Sequence, residues 1–103
     1  MDNHVQLINQ LLEIKQKIAQ EKLESKFERN FNRIFSIFEE AGYLIQYPMG
    51  EKYSETRSDY EAAIIGQESN NMVVSQVIKP VIYRKTADSA NLLQKGIVVV
   101  EKA

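Results

Sequence analysis

Apolar residues in the first part of the chain recur at helical spacing. Leu7, Leu11, Ile14 and Ile18 make one stripe, and Leu23, Phe27, Phe31, Ile34 and Phe38 make another. Such steps cannot be strand alternation and predict an α-helix. Neither glycine nor proline interrupts residues 1–41. Asp2 or Asn3 can cap the start, and Gly42 is the expected left-handed residue that stops the helix. The pattern therefore predicts one helix over 1–41, about 55 Å long at ~1.5 Å per residue. A globule of this chain length is only about 33 Å across, so the helix should project beyond its own domain. The Leu7, Leu11, Ile14 and Ile18 stripe would then be wet, and exposed apolar patches of that size mark interfaces. A homodimer paired through these residues is the expectation. From Ile18 to Leu23 the seam steps five residues, so the two halves should face different neighbours. All four phenylalanines fall within 27–38 and demand burial by the rest of the chain.

After Gly42 the pattern changes to short strands, expected at 43–47, 60–65, 72–78, 81–85 and 97–101. Seven of the eight valines and all five tyrosines lie there, as pleated, half-buried surfaces favour. Asn70-Asn71 suits a hairpin turn and 86–91 a polar loop. Pro80 breaks ladder pairing and predicts an edge or a bulge. The fold class is thus α+β: a long N-terminal helix over 1–41, then a small antiparallel β-domain over 42–103.

Composition narrows the chemistry. The 103 residues suffice for one domain, and a net charge of −1 supplies no long-range field for nucleic acid or anionic lipid. Absence of cysteine excludes disulfides, thiolate zinc sites and cysteine nucleophiles, and a single histidine excludes a His-rich metal cage within one chain. His4 reads as a frayed-terminus residue with no role. There is no basic leader, and the longest apolar run, 97–100, has four residues, so a cytoplasmic protein without a membrane span is expected.

The densest polar segment is 51–61, EKYSETRSDYE. An enzyme would have to use Glu55, Arg57 and Asp59 there, but Ser54 and Ser58 lack a nearby histidine to activate them. The stronger reading is a solvated loop in which Arg57 pairs with Glu55, Asp59 or Glu61 and a serine caps a turn. Residues 42–50 lack the glycine patterns of a phosphate cradle. No catalytic residue, cofactor or metal is expected.

The second part of the chain resembles GrpE, the nucleotide exchange factor of DnaK-type chaperones. The likeness runs from Phe31 onward. Glu40-Ala41-Gly42-Tyr43-Leu44-Ile45 matches the family's helix, glycine and strand. Gly50-Glu51-Lys52-Tyr53-Ser54-Glu55 and Glu61-Ala62-Ala63-Ile64 echo its G-x-x-F-D-P segment and following E-A pair. The stretch from Val73 to Val77, with Ile78-Lys79-Pro80-Val81 after it, is similar to its valine-rich strand ending in Q-K-G-Y. Gln94-Lys95-Gly96-Ile97-Val98-Val99-Val100 is similar to its closing R-P-A-x-V-x-V strand. Tyr60 stands where a histidine is typical and Pro80 where a glycine is usual, the spacers are longer, and most of the family's N-terminal helical half is missing. The resemblance implies a non-enzymatic homodimer whose β head binds the chaperone's ATPase domain and speeds ADP escape. Its contacts would come from Val77, Ile78, Lys79 and Pro80, then Tyr53, Glu55, Arg57 and Tyr60. Only one of Val77 and Ile78 can point outward from a strand. The alternative is a dimeric adaptor with this fold but no exchange activity.

Overall fold

The expected single helix is two. The computed structural model describes residues 3–103, with α1 (Asn3–Gln20) and α2 (Glu24–Glu40) separated by a turn at Glu21-Lys22-Leu23. The Leu23 N–H donates to the Ile18 carbonyl at 3.1 Å and the Lys22 N–H to the Ala19 carbonyl at 3.0 Å. Lys22 is left-handed, with φ 59°. These bonds form a Schellman stop, with lysine in the place glycine usually takes. The five-residue step from Ile18 to Leu23 spans it. Asp2, a suggested cap, lies outside the described residues, and Asn3 is already helical. The end of α2 matches expectation: Gly42 has φ 96° and donates to the Glu39 carbonyl at 2.9 Å.

Burial explains the break. Val5, Ile8 and Leu12 form a second stripe on α1 and pack with Phe38, Tyr43 and Ile82. A straight helix would strip them from that core. Burying such side chains contributes about 1.5–3 kcal/mol each, whereas one left-handed residue costs about 1–2 kcal/mol. The expected dimer seam is consequently divided. Leu7 and Ile14 are exposed at 50% and 47%, but Leu11 is half-buried against the chain's own core. Ile18 lines a cleft shared with Phe31 of α2. His4 is not at a frayed end: its Nδ1 lies 3.0 Å from the Tyr43 hydroxyl.

Six strands follow: β1 (Tyr43–Gln46), β2 (Tyr60–Ile64), β3 (Met72–Lys79), β4 (Val81–Lys85), β5 (Ala90–Gln94) and β6 (Gly96–Lys102). They make two three-stranded sheets, ordered β1-β4-β5 and β2-β6-β3. The β-domain is not wholly antiparallel, because β2 runs parallel to β6 with Tyr60 opposite Gly96. The expected loop at 86–91 overlaps the start of β5, an exposed strand on the edge of its sheet. Pro80 joins β3 to β4, where the chain passes between sheets. Its carbonyl accepts from Gln94 Nε2 at 2.9 Å, and β3 is irregular just before it, between Val77 and Lys79.

Two cores result. Tyr60, Met72, Val74, Val77, Val81, Val98 and Val100 pack together on the inner side of β2-β6-β3. The second core lies beneath the helices, centred on Ile8 and Ile82. Between the sheets Gly96 allows a close approach, since a Cβ there would sit 2.7 Å from Val81 Cγ2.

Candidate functional site

The polar segment 51–61 begins as an extra strand-like run beside β3. The Gly50 N–H donates to Val74 O and the Tyr53 N–H to Met72 O, both at 2.9 Å, and Val74 N–H returns a bond to Glu51 O. Past Ser54 the chain turns, with the Arg57 N–H reaching the Ser54 carbonyl at 3.3 Å. This delivers Arg57 over the Tyr60 ring, 4.6 Å from its centroid, and Tyr53 stacks on Tyr60 at 6.3 Å. Such a guanidinium over an aromatic face is attracted by the ring quadrupole.

Arg57 then closes a network. Its Nε donates to Asp59 Oδ1 at 2.7 Å, and one terminal nitrogen donates to Asp59 Oδ2 at 3.1 Å and to Gln46 Oε1 at 3.0 Å. Glu51 lies 3.6 Å away on the other side. The Tyr83 hydroxyl donates to Asp59 Oδ2 at 3.0 Å. The Arg57 hydrogen bond is the main reason that the Asp59 carboxyl is held below its usual range, against the opposing effect of burial. That same bond raises Arg57, and the bond to Asp59 raises the Tyr83 phenol. A carboxylate so stabilised is a weak base, and a guanidinium so occupied is committed. The network links β1, β2 and β4, so its evident work is holding the two sheets together. Gln46 and Tyr83 were not legible as members because they are distant in sequence and unremarkable in type.

Of the residues expected to meet a partner, the structure separates insiders from outsiders. Val77 is 1% exposed, Tyr60 is 6% exposed, and Pro80 is buried, so these three lie inside the chain rather than on its surface. Ile78 is 55% exposed, and Lys79 and Glu55 are exposed too. Tyr53 and Arg57 are half-buried. The reason for the Val77 and Ile78 division is strand alternation, which sends neighbours to opposite faces.

Ile78 adjoins a surface the sequence did not reveal. Val98 and Val100 point into the core, so Ile97 and Val99 of the same strand face outward. Val99 is largely covered yet belongs to neither core cluster. Ala63 and Gln76 flank it across the sheet, and Ile97 lies in register between Glu61 and Lys79. The outer face of β2-β6-β3 thus carries Ala63, Ile97 and the covered Val99 between the polar Glu61, Gln76 and Lys79. The run Ile97-Val98-Val99-Val100 hides this, since every residue is apolar whichever way it points.

Separately, a cleft of about 600 Å3 lies between α1 and β3, lined by Lys15, Gln16, Tyr47, Met49, Gln76 and Val77 among others. Gln16 Nε2 crosses it to Tyr47 Oη at 3.1 Å and to the Val77 carbonyl at 2.8 Å. None of Glu55, Arg57 and Asp59 lines it. Among the described residues no group of three or more His, Asp or Glu is placed to hold a metal, and no helix is long and apolar enough to cross a membrane. The fold therefore defines an α+β protein of two helices and two small sheets, with Ile78 exposed at the end of β3. No known family, curated protein or solved structure matches the chain.

Proposed function

We propose that this protein is a GrpE-like co-chaperone, acting as a homodimer, that promotes ADP release from a DnaK-type chaperone by binding its ATPase domain through the outer face of β2-β6-β3. The observation that supports the reading is the end of β3. The segment resembling the family's partner-contacting strand turns Ile78 and Lys79 outward beside Ile97, while Val77 anchors it from within. Ile78 is the apolar anchor and Lys79 the rim cation, the usual division of labour at an interface. Exchange needs no bond-making by this chain. It requires only tighter binding to the open ATPase domain than to the closed one.

The test is stopped-flow fluorescence of labelled ADP leaving a DnaK-type chaperone of the same organism. Acceleration is expected, and Ile78→Asp with Lys79→Glu should reduce it at least about tenfold by removing an anchor and reversing a charge. No acceleration at saturating protein, from a chaperone that answers its ordinary exchange factor, refutes the exchange role. A second reading, an adaptor with this fold and no exchange activity, is favoured by α1 folding back where the family has a long projecting helix. Chaperone binding without faster release is its signature.

A further inference from the structure

The turn between the helices is built from residues that do not favour it. Lys22 occupies the left-handed position of the Schellman stop, where glycine carries no Cβ penalty. In a helix, by contrast, lysine is among the better formers, and Glu21 and Leu23 are equally suitable. No glycine or proline lies anywhere between residues 1 and 41. A helix running unbroken through 3–40 is therefore locally preferred, and only the docking of α1 on its own head keeps the turn closed.

That docking is a separable set of contacts. Val5, Ile8 and Leu12 enter the core with Phe38 and Ile82. Asn9 and Gln94 exchange a reciprocal pair of amide hydrogen bonds, both 2.8 Å. Gln16 bonds Tyr47 and Val77. All of these can be remade by the α1 of another copy, because nothing in them depends on which chain supplies the helix. Only the turn itself differs between the two arrangements.

We infer that this protein forms a domain-swapped dimer in which Glu21-Lys22-Leu23 becomes helical and each α1 docks on the head of a second copy. Swapping is favoured when a short hinge is strained in the closed form and relaxed in the open one, which is the situation of Lys22. In such a dimer Ile14, Leu23 and Phe27, each 39–47% exposed in the closed chain, lie on the straightened helix free to meet the second copy. This rests on the homodimer part of the co-chaperone reading and adds how the pairing is made: monomer at every concentration would overturn both, whereas indifference to residue 22 or bridges confined to single chains would overturn the swap alone.

The experiment is light scattering across a wide concentration range on the wild type, Lys22→Gly and Lys22→Ile. Glycine relaxes the closed turn and weakens the open helix, so the dimer dissociation constant should rise at least about tenfold over two hinges. Isoleucine, a strong outlier in the left-handed region, should lower it by a similar factor. The chain has no cysteine, so Asn9→Cys with Gln94→Cys installs the only thiols. A short bismaleimide should then join two chains in the dimer fraction and bridge within one chain in the monomer fraction. Monomer at every concentration in all three proteins, a dissociation constant indifferent to residue 22, or dimers bridged only within single chains would each overturn the proposal.

Discussion

Gly96→Ala offers the sharpest test of how the two sheets are held together. A methyl at Gly96 would lie 2.7 Å from Val81 Cγ2, 3.1 Å from Tyr60 Cβ and 3.3 Å from the Lys79 carbonyl oxygen. Carbon atoms in contact prefer ~3.5–4.0 Å, so the Val81 methyl must retreat by about 1 Å. It has nowhere to go, since Val81 is fully buried, and the other two neighbours are fixed by strand pairing. Overpacking of this kind costs about 1–3 kcal/mol. For a domain of this size each kcal/mol lowers Tm by about 4–8 °C. Thermal unfolding followed by circular dichroism should show that drop for Gly96→Ala. Val81→Ala alone leaves a cavity and should cost about 2 kcal/mol. In the double variant the alanine at 96 fills part of the space vacated at 81, so the two effects should fall short of additivity by about 1 kcal/mol or more. A Gly96→Ala melt within about 1 °C of wild type, or strict additivity, would refute the close-approach argument.

Three further outcomes are expected. Val77→Ala should cost about 2 kcal/mol by urea unfolding, whereas Ile78→Ala should cost no more than about 1 kcal/mol, because only the first is inside. Asp59→Asn keeps the shape of the network but removes its charge and should cost about 1–2 kcal/mol at pH 7. The folded-state pKa of Asp59 is depressed, so its contribution is fully present above the unfolded value near ~3.9 and fades as pH falls through the lower folded value. The gap between wild type and Asp59→Asn should accordingly close below pH ~4, and a gap independent of acid would contradict the assigned role.

Much of the architecture was legible from local pattern. Val81–Lys85 is a strand over the expected residues, and the other four expected strands differ by one residue at one end or, for β6, at both ends. Gly42 ends a helix because a left-handed residue is needed there, a requirement local chemistry can show. The missed strand, β5, reads Ala-Asn-Leu-Leu-Gln, has little β-branched character and is exposed along most of its length. Its pairing to β4 is supplied by the backbone ladder, which side-chain type does not announce. In the candidate site, an ion pair of Arg57 with Glu55, Asp59 or Glu61 was readable from their spacing, but the choice of Asp59 was made by the fold. The sharing of that pair with Gln46 and Tyr83 was not, because those residues meet it only after the sheets have closed.

The helix break shows the division most clearly. Sequence by itself determined that the chain before Gly42 is helical in character and that the apolar seam jumps at Ile18 to Leu23, which is also the spacing of the two residues that bracket a Schellman stop, but not that the helix breaks there into Asn3–Gln20 and Glu24–Glu40. It could not choose between two stripes on α1, one through Leu7, Leu11, Ile14 and Ile18 and the other through Val5, Ile8 and Leu12. Both satisfy helical periodicity, and only the tertiary core beneath Phe38 and Ile82 decides which is buried. Likewise β6 is apolar throughout 97–100, and its inner and outer faces were assigned only by packing of Val98 and Val100 against β3. Periodicity is a property of one element, whereas facing is a property of two. The burial free energy that settles it exists only when the second element is in place.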